Sequence, residues 1–269
     1  MSFLTELKLF LRTFTDWLLL LGIFTVFFFS FNVESVTVMG TVKPLPVPAE
    51  ESFAAEFFNS LVADVAPADI PLVVTSPTAA FVVQVKLAFL LALIFTFPVF
   101  LWRLASYLAP ALRSRERQAL ALVVGPSLIL FAVGVAFAYH TIAPVTLSIL
   151  YGFTGPIGVV PLLGIVEFVG VVAALLLIAG CAFTIPVFMV LMTALGVIST
   201  AWWLARARYA IVGILVVSAI ITPDGSGVSM LLLSVPVTVL YGAGIVVSAQ
   251  VERAANRSRR AQPAKHLSI

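Results

Sequence analysis

The sequence predicts an all-α integral membrane protein with six transmembrane helices, and three observations support this fold class. The 269-residue chain is 62% hydrophobic and only 10% charged, with a mean hydropathy of +1.17, whereas a soluble domain is about 25% charged. Its apolar residues form continuous stretches and do not alternate with polar ones, which favours helices over the strands of a membrane barrel. Its basic residues are concentrated in alternate connections between these stretches.

Six apolar stretches define the predicted topology. They cover residues 14–31, 79–102, 119–139, 165–191, 209–221 and 229–247. Of the fifteen Lys and Arg residues, Lys86 lies within a stretch and Lys43 in a predicted external connection. The other thirteen lie in the termini and connections of the opposite side. The external connections also hold seven Asp and Glu residues. By the positive-inside rule, both termini are cytoplasmic.

Helices five and six are predicted to be short, and several helices to be kinked. Arg208 and Asp224 enclose only about 15 residues, or about 22 Å of helix, whereas a bilayer core is about 30 Å thick. The sixth stretch is near the lower length limit and contains Pro236. Prolines inside helices favour kinks, so Pro98, Pro126 and Pro186 predict bent helices that pack round a concave surface.

The polar segments divide the chain into a membrane domain and a tail. Residues 1–250 form the six-span domain, and residues 1–13 are predicted to be an amphipathic helix on the cytoplasmic surface. Residues 33–75 form an external cap in which Pro44, Pro46 and Pro48 favour an extended, polyproline-like run and residues 50–65 a helix. Residues 251–269 are expected to be a disordered, basic cytoplasmic tail that has access to membrane lipid.

The sequence does not predict an enzyme. The HExxH, GxSxG and Walker A signatures are absent from it, and its two histidines and Cys181 are not part of a metal-binding or catalytic cluster. No cofactor and no metal are therefore expected. The pI of about 9.2 follows from the basic cytoplasmic connections and does not indicate a nucleic-acid partner.

Two carboxylates stand out on the basic cytoplasmic side: Glu6 in the N-terminal segment and Glu116 in the connection between spans two and three. A carboxylate accepts two parallel hydrogen bonds from a guanidinium, which an ammonium group cannot match. The two could therefore recognise two arginines of a partner. From the residues alone there is an alternative, in which Glu6 pairs with Lys8 and Glu116 pairs with neighbouring arginines.

Several separate segments, in the right order, resemble the TatC family. They are FLTELK (3–8), SPTAAFVVQVKLAF (76–89), FPVFLW (97–102), LAPALRSRER (108–117), FAVGVAFAYHTIAP (131–144), RARYAIV (206–212), TPDGSGVSMLLLSVP (222–236) and LYG (240–242). The resemblance implies the receptor and core subunit of the twin-arginine translocase, which exports folded proteins across the plasma (cell inner) membrane. It also implies that the proton-motive force drives export.

The resemblance places a signal-peptide site in the N-terminal segment and the first cytoplasmic connection. Glu6 and Glu116 match the positions that bind the paired arginines, and Lys8 lies beside Glu6. Tyr107, Pro110 and Leu112 would shape the same pocket. The family commonly has an arginine where this chain has Lys8, so the N-terminal motif departs from the usual pattern.

The resemblance further implies TatA- or TatB-like single-span partner subunits that dock near spans four to six in an oligomeric complex. The expected contact residues are Thr184, Thr222 and Tyr241. In the family, a buried glutamate usually stands at the position of Thr184, and another often follows the position of Tyr241, where this chain has Gly242. A hydroxyl can hydrogen-bond to a partner but carries no charge.

Two other function classes compete with this interpretation. A small-solute permease needs paired charges or discontinuous helices at the membrane midplane, but the only charges deep within the stretches, Lys86 and Glu167, both lie near the predicted outer face. An intramembrane enzyme needs a pair of catalytic side chains at one depth, and no such pair is evident. The permease is the stronger alternative.

Overall fold

The computed structural model describes the backbone of residues 3–38, 41–48, 52–67, 70–108, 114–153, 162–221 and 227–260. It describes the side chains of residues 14–32, 52–67, 70–103, 124–153, 162–220 and 227–254. The chain forms two compact units. The first comprises Met1–Tyr107 and Val135–Ile178, and the second comprises Leu108–Gly134 and Ala179–Ile269.

Helices make up most of the described chain. In chain order they are α1 (Phe3–Ser30), α2 (Phe53–Val65), α3 (Ala79–Leu108), α4 (Ser114–Phe137), a π-helical turn (Ala138–Ile142), α5 (Ala143–Gly152), α6 (Ile165–Phe183), α7 (Ile185–Ala194), α8 (Thr200–Ala205), α9 (Ala207–Ile221) and α10 (Val228–Arg260). The predicted surface helix 1–13 and the first apolar stretch therefore form one continuous helix, α1. The predicted cap helix is α2, which Ser52 caps by accepting a hydrogen bond from the backbone N–H of Ala55.

The described chain is predominantly helical, as predicted, and two small sheets accompany the helices. Strands β1 (Phe31–Val38) and β2 (Thr41–Pro48) pair antiparallel, with Phe31 opposite Pro48, and β3 (Leu72–Val73) pairs in parallel with β4 (Leu163–Gly164). The alternating prolines predict the extended conformation of β2 but do not predict that β2 pairs with β1. Because the prolines recur at every second residue, all of them can occupy positions whose backbone N–H would not bond to the partner strand.

The predicted apolar stretches coincide with helices. Within the described residues, four segments are long and apolar enough to cross a bilayer, and two apolar helices are shorter, Phe14–Ser30 and Ala207–Ile220. The four long segments are Ala79–Arg103, Val124–Gly152, Ile165–Ala194 and Val228–Ala254. Helix α9, at 15 residues, is as short as predicted.

Three boundaries differ from the sequence prediction. The third segment continues beyond residue 139 through the π-helical turn and α5, because Pro144 sits in the first turn of α5, where its missing N–H is not needed. The fourth is divided at Thr184. Helix α10 has 33 residues and continues through Pro236 to Arg260, so the prediction of a short sixth helix was wrong.

The same extension of α10 corrects the predicted tail. Residues 251–260 are helical, not disordered, since VERAANRSRR contains good helix formers and no Gly or Pro. The end of an apolar stretch predicts where the contact with lipid ends. A helix can continue beyond that point for as long as its residues favour helical backbone conformation. Residues 261–269 lie outside the described part of the chain.

Aromatic contacts and two polar contacts organise the first unit. Phe28 lies between Phe53 of α2 and Phe95 of α3, with ring centroids 5.7 and 5.1 Å away. The hydroxyl of Tyr139 in the π-helical turn donates to the carboxylate of Asp64 in α2 over 2.6 Å. Helix α2 is thereby tied to the segment Val124–Gly152.

Lys86, the cation within α3, bonds to another helix of the same unit. Its Nζ atom donates to the carbonyl oxygen of Val166, in the first turn of α6, over 3.2 Å. Gly170 lies beside this contact, since a Cβ atom there would lie 3.4 Å from Nζ. The ammonium group therefore finds a backbone acceptor.

Close backbone approaches organise the second unit. Helix α10 packs against α7 and α9, and a Cβ atom at Gly244 would lie within 3.1 Å of Pro186 and Met189. Helix α7 ends in a Schellman motif. In that motif Gly196, at φ 72°, and Val197 donate to the carbonyls of Thr193 and Met192.

Replacing Gly134 should destabilise the protein more than replacing Gly125 in the same helix. A Cβ atom at Gly134 would lie 2.7 Å from the carbonyl oxygen of Ala179 and 2.9 Å from the Cβ of Phe183, whereas Gly125 has nothing within 4 Å. Gly134→Ala should therefore lower the free energy of unfolding by about 1–3 kcal/mol, and Gly125→Ala should leave it unchanged or raise it. Thermal unfolding in detergent measures both, and equal effects would contradict the close contact.

Candidate functional site

The predicted signal-peptide residues lie at helix ends. Glu6 and Lys8 fall in the first turns of α1, Tyr107 in the last turn of α3, and Glu116 in the first turn of α4. The side chains of these four lie outside the described residues, as do Pro110 and Leu112 entirely. Their mutual geometry therefore stays a prediction.

An ion pair joins α1 and α3, ten residues after Glu6 on α1 and one turn before Tyr107 on α3. Arg103 donates from Nη1 to the Oδ2 atom of Asp16 over 3.0 Å. One residue along α1, the ring of Trp17 lies 4.9 Å from that of Phe100 on α3. Sequence reasoning noted both charges but did not pair them, because they are 87 residues apart.

Thr184, the first of the predicted partner-contact residues, forms the break between α6 and α7. Its hydroxyl donates to the carbonyl oxygen of Cys181 over 2.7 Å. Its own carbonyl accepts from the N–H groups of Val187 and Phe188. Since Pro186 has no N–H, these bonds keep the backbone paired across the break. The hydroxyl oxygen still has lone pairs that can accept a hydrogen bond.

Tyr241, the second of these residues, is only 6% exposed and is bonded within the chain. Its hydroxyl donates to the carbonyl oxygen of Trp203 in α8 over 3.0 Å. The indole N–H of Trp203 donates to Thr193, whose hydroxyl donates to the carbonyl oxygen of Met189. These bonds hold α8 against α7 and α10. Thr222, the third residue, lies outside the described part of the chain.

Glu252 adds a second connection between α8 and α10. Its carboxylate accepts from the backbone N–H of Thr200 over 2.9 Å, at the first residue of α8. A carboxylate at this end of a helix satisfies a free N–H group and stabilises the helix dipole. The sequence gives only a weak signal for this contact, because Glu252 lies in the predicted tail.

The connection from α8 to α9 presents arginines stacked on aromatic rings. The guanidinium carbon of Arg206 lies 4.2 Å from the ring centroid of Trp202, and that of Arg208 lies 4.7 Å from the ring of Tyr209. Trp202 and Tyr209 are exposed. Arginine on an exposed aromatic ring is typical of the boundary between water and lipid.

Helix α9 exposes apolar side chains along its length. Ile211, Val212, Val216, Val217 and Ile220 are all exposed. At 1.5 Å per residue, its 15 residues span about 22 Å, less than the roughly 30 Å of a bilayer core. A surface of this kind is suited to lipid or to an apolar partner helix.

An apolar groove lies within the second unit, between α4, α7 and α10. Its volume is about 480 Å³, and its lining residues are Pro126, Leu130, Pro186, Val187, Val190, Ala194, Leu240, Ala243, Gly244, Val247 and Val251. None of these side chains is polar, so the groove offers dispersion contacts and no hydrogen-bond donor. Within the described side chains, no cluster of three His, Cys, Asp or Glu residues could hold a metal ion.

Comparison with known proteins gives a consistent result. The family model of the Sec-independent protein translocase protein (TatC) matches residues 3–236. A relative of that description from Cenarchaeum symbiosum is 35% identical over 233 residues, which cover 86% of this chain and 88% of the relative. The protein of the same description from Escherichia coli K12 is 32% identical over 177 residues, 66% of this chain and 68% of the relative.

Solved structures agree with the sequence comparison. A crystal structure of the twin-arginine translocase receptor TatC matches with a TM-score of 0.69 and 26% identity, over 93% of this chain and 99% of the other. A crystal structure of that receptor in DDM matches with a TM-score of 0.71 and 25% identity, over 92% and 99%. The similarity therefore extends to nearly the full length of both chains.

Tyr241→Phe should weaken the attachment of α8 to α10. The substitution removes the bond to the carbonyl oxygen of Trp203, and losing one buried hydrogen bond lowers the free energy of unfolding by about 1 kcal/mol. Tyr209→Phe is the matched control, because the Tyr209 hydroxyl is exposed and contacts only Arg208 among the described residues. Thermal unfolding in detergent compares the two, and an equal loss would contradict the proposed attachment.

Proposed function

The chain belongs to the TatC family, and from this premise we propose that it is the receptor for twin-arginine signal peptides in a translocase that exports folded proteins. It is a membrane protein and a translocase component, not an enzyme. The main support is the agreement of the family model over residues 3–236 with the structural similarity over 93% of the chain.

The proposed recognition is electrostatic and geometric. Glu6 and Glu116 each accept a signal-peptide arginine through paired hydrogen bonds, which discriminates against lysine because an ammonium group cannot match that geometry. Lys8 lies beside Glu6 in the sequence and keeps the pocket from being uniformly acidic. Tyr107, Pro110 and Leu112 supply the apolar wall. Helix α1, which carries Glu6 on its first turns, supports a rigid presentation of that carboxylate.

The proposed topology has six spans with both termini cytoplasmic. Four described segments have the length and hydropathy to cross alone, and α1 and α9 supply the other two crossings. Thirteen basic residues then lie on the cytoplasmic side. Bent helices would enclose a concave surface along which the apolar segment of the signal peptide lies, in the plasma (cell inner) membrane.

The proposed partners are TatA- or TatB-like single-span subunits in an oligomeric complex. The exposed apolar surface of α9 and the hydroxyl of Thr184 support docking near spans four to six. Thr222 and Tyr241 would contribute at the ends of spans five and six, Tyr241 through its ring because its hydroxyl is already bonded. Since Thr184 and Gly242 carry no charge, docking here relies on apolar packing more than on ion pairs.

The short α9 fits the proposed transport step. An apolar helix of about 22 Å thins the bilayer or lies behind a partner, which lowers the barrier that a polar cargo meets. The proton-motive force would supply the energy, since the sequence has no nucleotide-binding signature. No cofactor has a role in this mechanism.

Glu116→Gln and Glu6→Gln should abolish the preference for arginine in the signal peptide. Loss of a charge-assisted bidentate bond corresponds to about 1.5–3 kcal/mol, or a roughly tenfold to hundredfold loss of affinity for a twin-arginine signal. Binding of labelled precursors with a twin-arginine or a twin-lysine signal to the purified full chain measures the effect. A photoreactive residue at position 118 locates the bound signal while Glu116 is kept.

Glu56→Gln is the control, because Glu56 is an acidic residue of the external helix α2 and should leave binding unchanged. Unaltered discrimination in both Glu6→Gln and Glu116→Gln would contradict the site. Absence of discrimination in the unmodified protein would contradict the receptor function itself and favour the permease alternative.

A further inference from the structure

We propose that the Asp16–Arg103 ion pair is a positioning device for signal-peptide recognition, which fixes α1 against α3 so that Glu6 and Tyr107 are presented in one geometry. This inference rests on the proposed function. It concerns two residues that lie outside the recognition motifs and that touch each other at 3.0 Å.

The pair is well placed for this role. Asp16 follows Glu6 by ten residues of the continuous helix α1, or about 15 Å. Arg103 precedes Tyr107 by one turn of α3. Both helices and all four residues belong to the first compact unit. The pair therefore joins α1 and α3 on the side of the two ends that carry the predicted site.

Aromatic contacts also join these two helices. Trp17 lies 4.9 Å from Phe100, Phe28 lies 5.1 Å from Phe95, and Phe29 lies 5.7 Å from Phe81 by ring centroids. Such contacts hold two helices together but tolerate small sliding and rotation. A charged hydrogen bond has a preferred direction and length. It is the only ion pair among the side chains that the structure describes.

Small displacements matter at the far end of α1. Slipping the helix by one residue moves Glu6 by about 1.5 Å, whereas a binding constellation must be held to within about 0.5 Å. Both side chains of the pair are 43% exposed, and an ion pair this exposed adds little to overall stability. Its main effect is then on register, so that disrupting it alters recognition more than folding.

Charge reversal tests the proposal. The full chain in detergent is assayed for affinity to twin-arginine and twin-lysine signal peptides, with thermal unfolding measured on each variant. Asp16→Arg or Arg103→Asp alone should lower the affinity for the twin-arginine signal about tenfold and reduce its preference over the twin-lysine signal. The double variant should restore both to within about threefold of the unmodified chain.

The double variant separates positioning from direct contact. If Asp16 itself bound a signal arginine, an arginine at position 16 would repel the peptide whatever stands at position 103, and failure of the double variant to recover would overturn the proposal. Asp16→Glu and Arg103→Lys keep the pair and should retain the preference. Gly134→Ala, which is expected to lower stability through a contact within the second unit, should also retain the preference, because loss of stability alone does not change recognition.

If a charge-reversed variant does not fold, neutral variants test the proposal instead. Asp16→Asn and Arg103→Gln remove the ion pair without creating a like-charge contact, and each should reduce the preference for arginine about threefold. An unchanged preference in these variants, with the unmodified chain discriminating, overturns the positioning role alone. An unmodified chain that does not discriminate overturns the proposed function and this inference with it.

Discussion

A backbone N–H or C=O group inside the apolar core of a bilayer finds no water, and each one left unpaired costs several kcal/mol. Most of this chain follows from that constraint. Helices α3, α4 and α10 continue through Pro98, Pro126 and Pro236, and where the fourth segment does break, Thr184 keeps the neighbouring backbone paired. Even Lys86 binds a backbone carbonyl. The lipid thus decides where irregular structure is permitted.

The same constraint assigns the polar side chains to helix ends and helix breaks. Tyr241 and Glu252 bond to the backbone of α8, and Trp203 bonds to Thr193. These bonds help to fix a short helix that has no fully buried side chain of its own. The exposed apolar surface of α9 and the groove beside α10 stay available to lipid or a partner. Polar bonds set the geometry, and apolar surfaces are left for association.

Helix positions could be predicted because they depend on local composition. The apolar stretches begin at residues 79 and 165, where α3 and α6 begin, and the fifth ends at residue 221, as does α9. Features that depend on distant partners could not be predicted. Nothing local to residues 31–48 indicates that they pair as β1 and β2, and nothing near Asp16 indicates Arg103. The length of α10 was missed because hydropathy reports lipid contact and not helix continuity.

The residues proposed for the site can be named from the sequence, whereas the contacts that support them cannot. Glu6 and Glu116 follow from carboxylate chemistry on a basic face together with the family motifs, and they need no tertiary structure to be named. What aligns such residues does need it: the Asp16–Arg103 contact spans 87 residues and has no motif. Apolar helices in lipid gain little from burial against each other, since lipid tails are equally apolar. A receptor built from them must obtain its precision from a few directional contacts, and one of these, the Asp16–Arg103 ion pair, joins the helices that carry Glu6 and Tyr107.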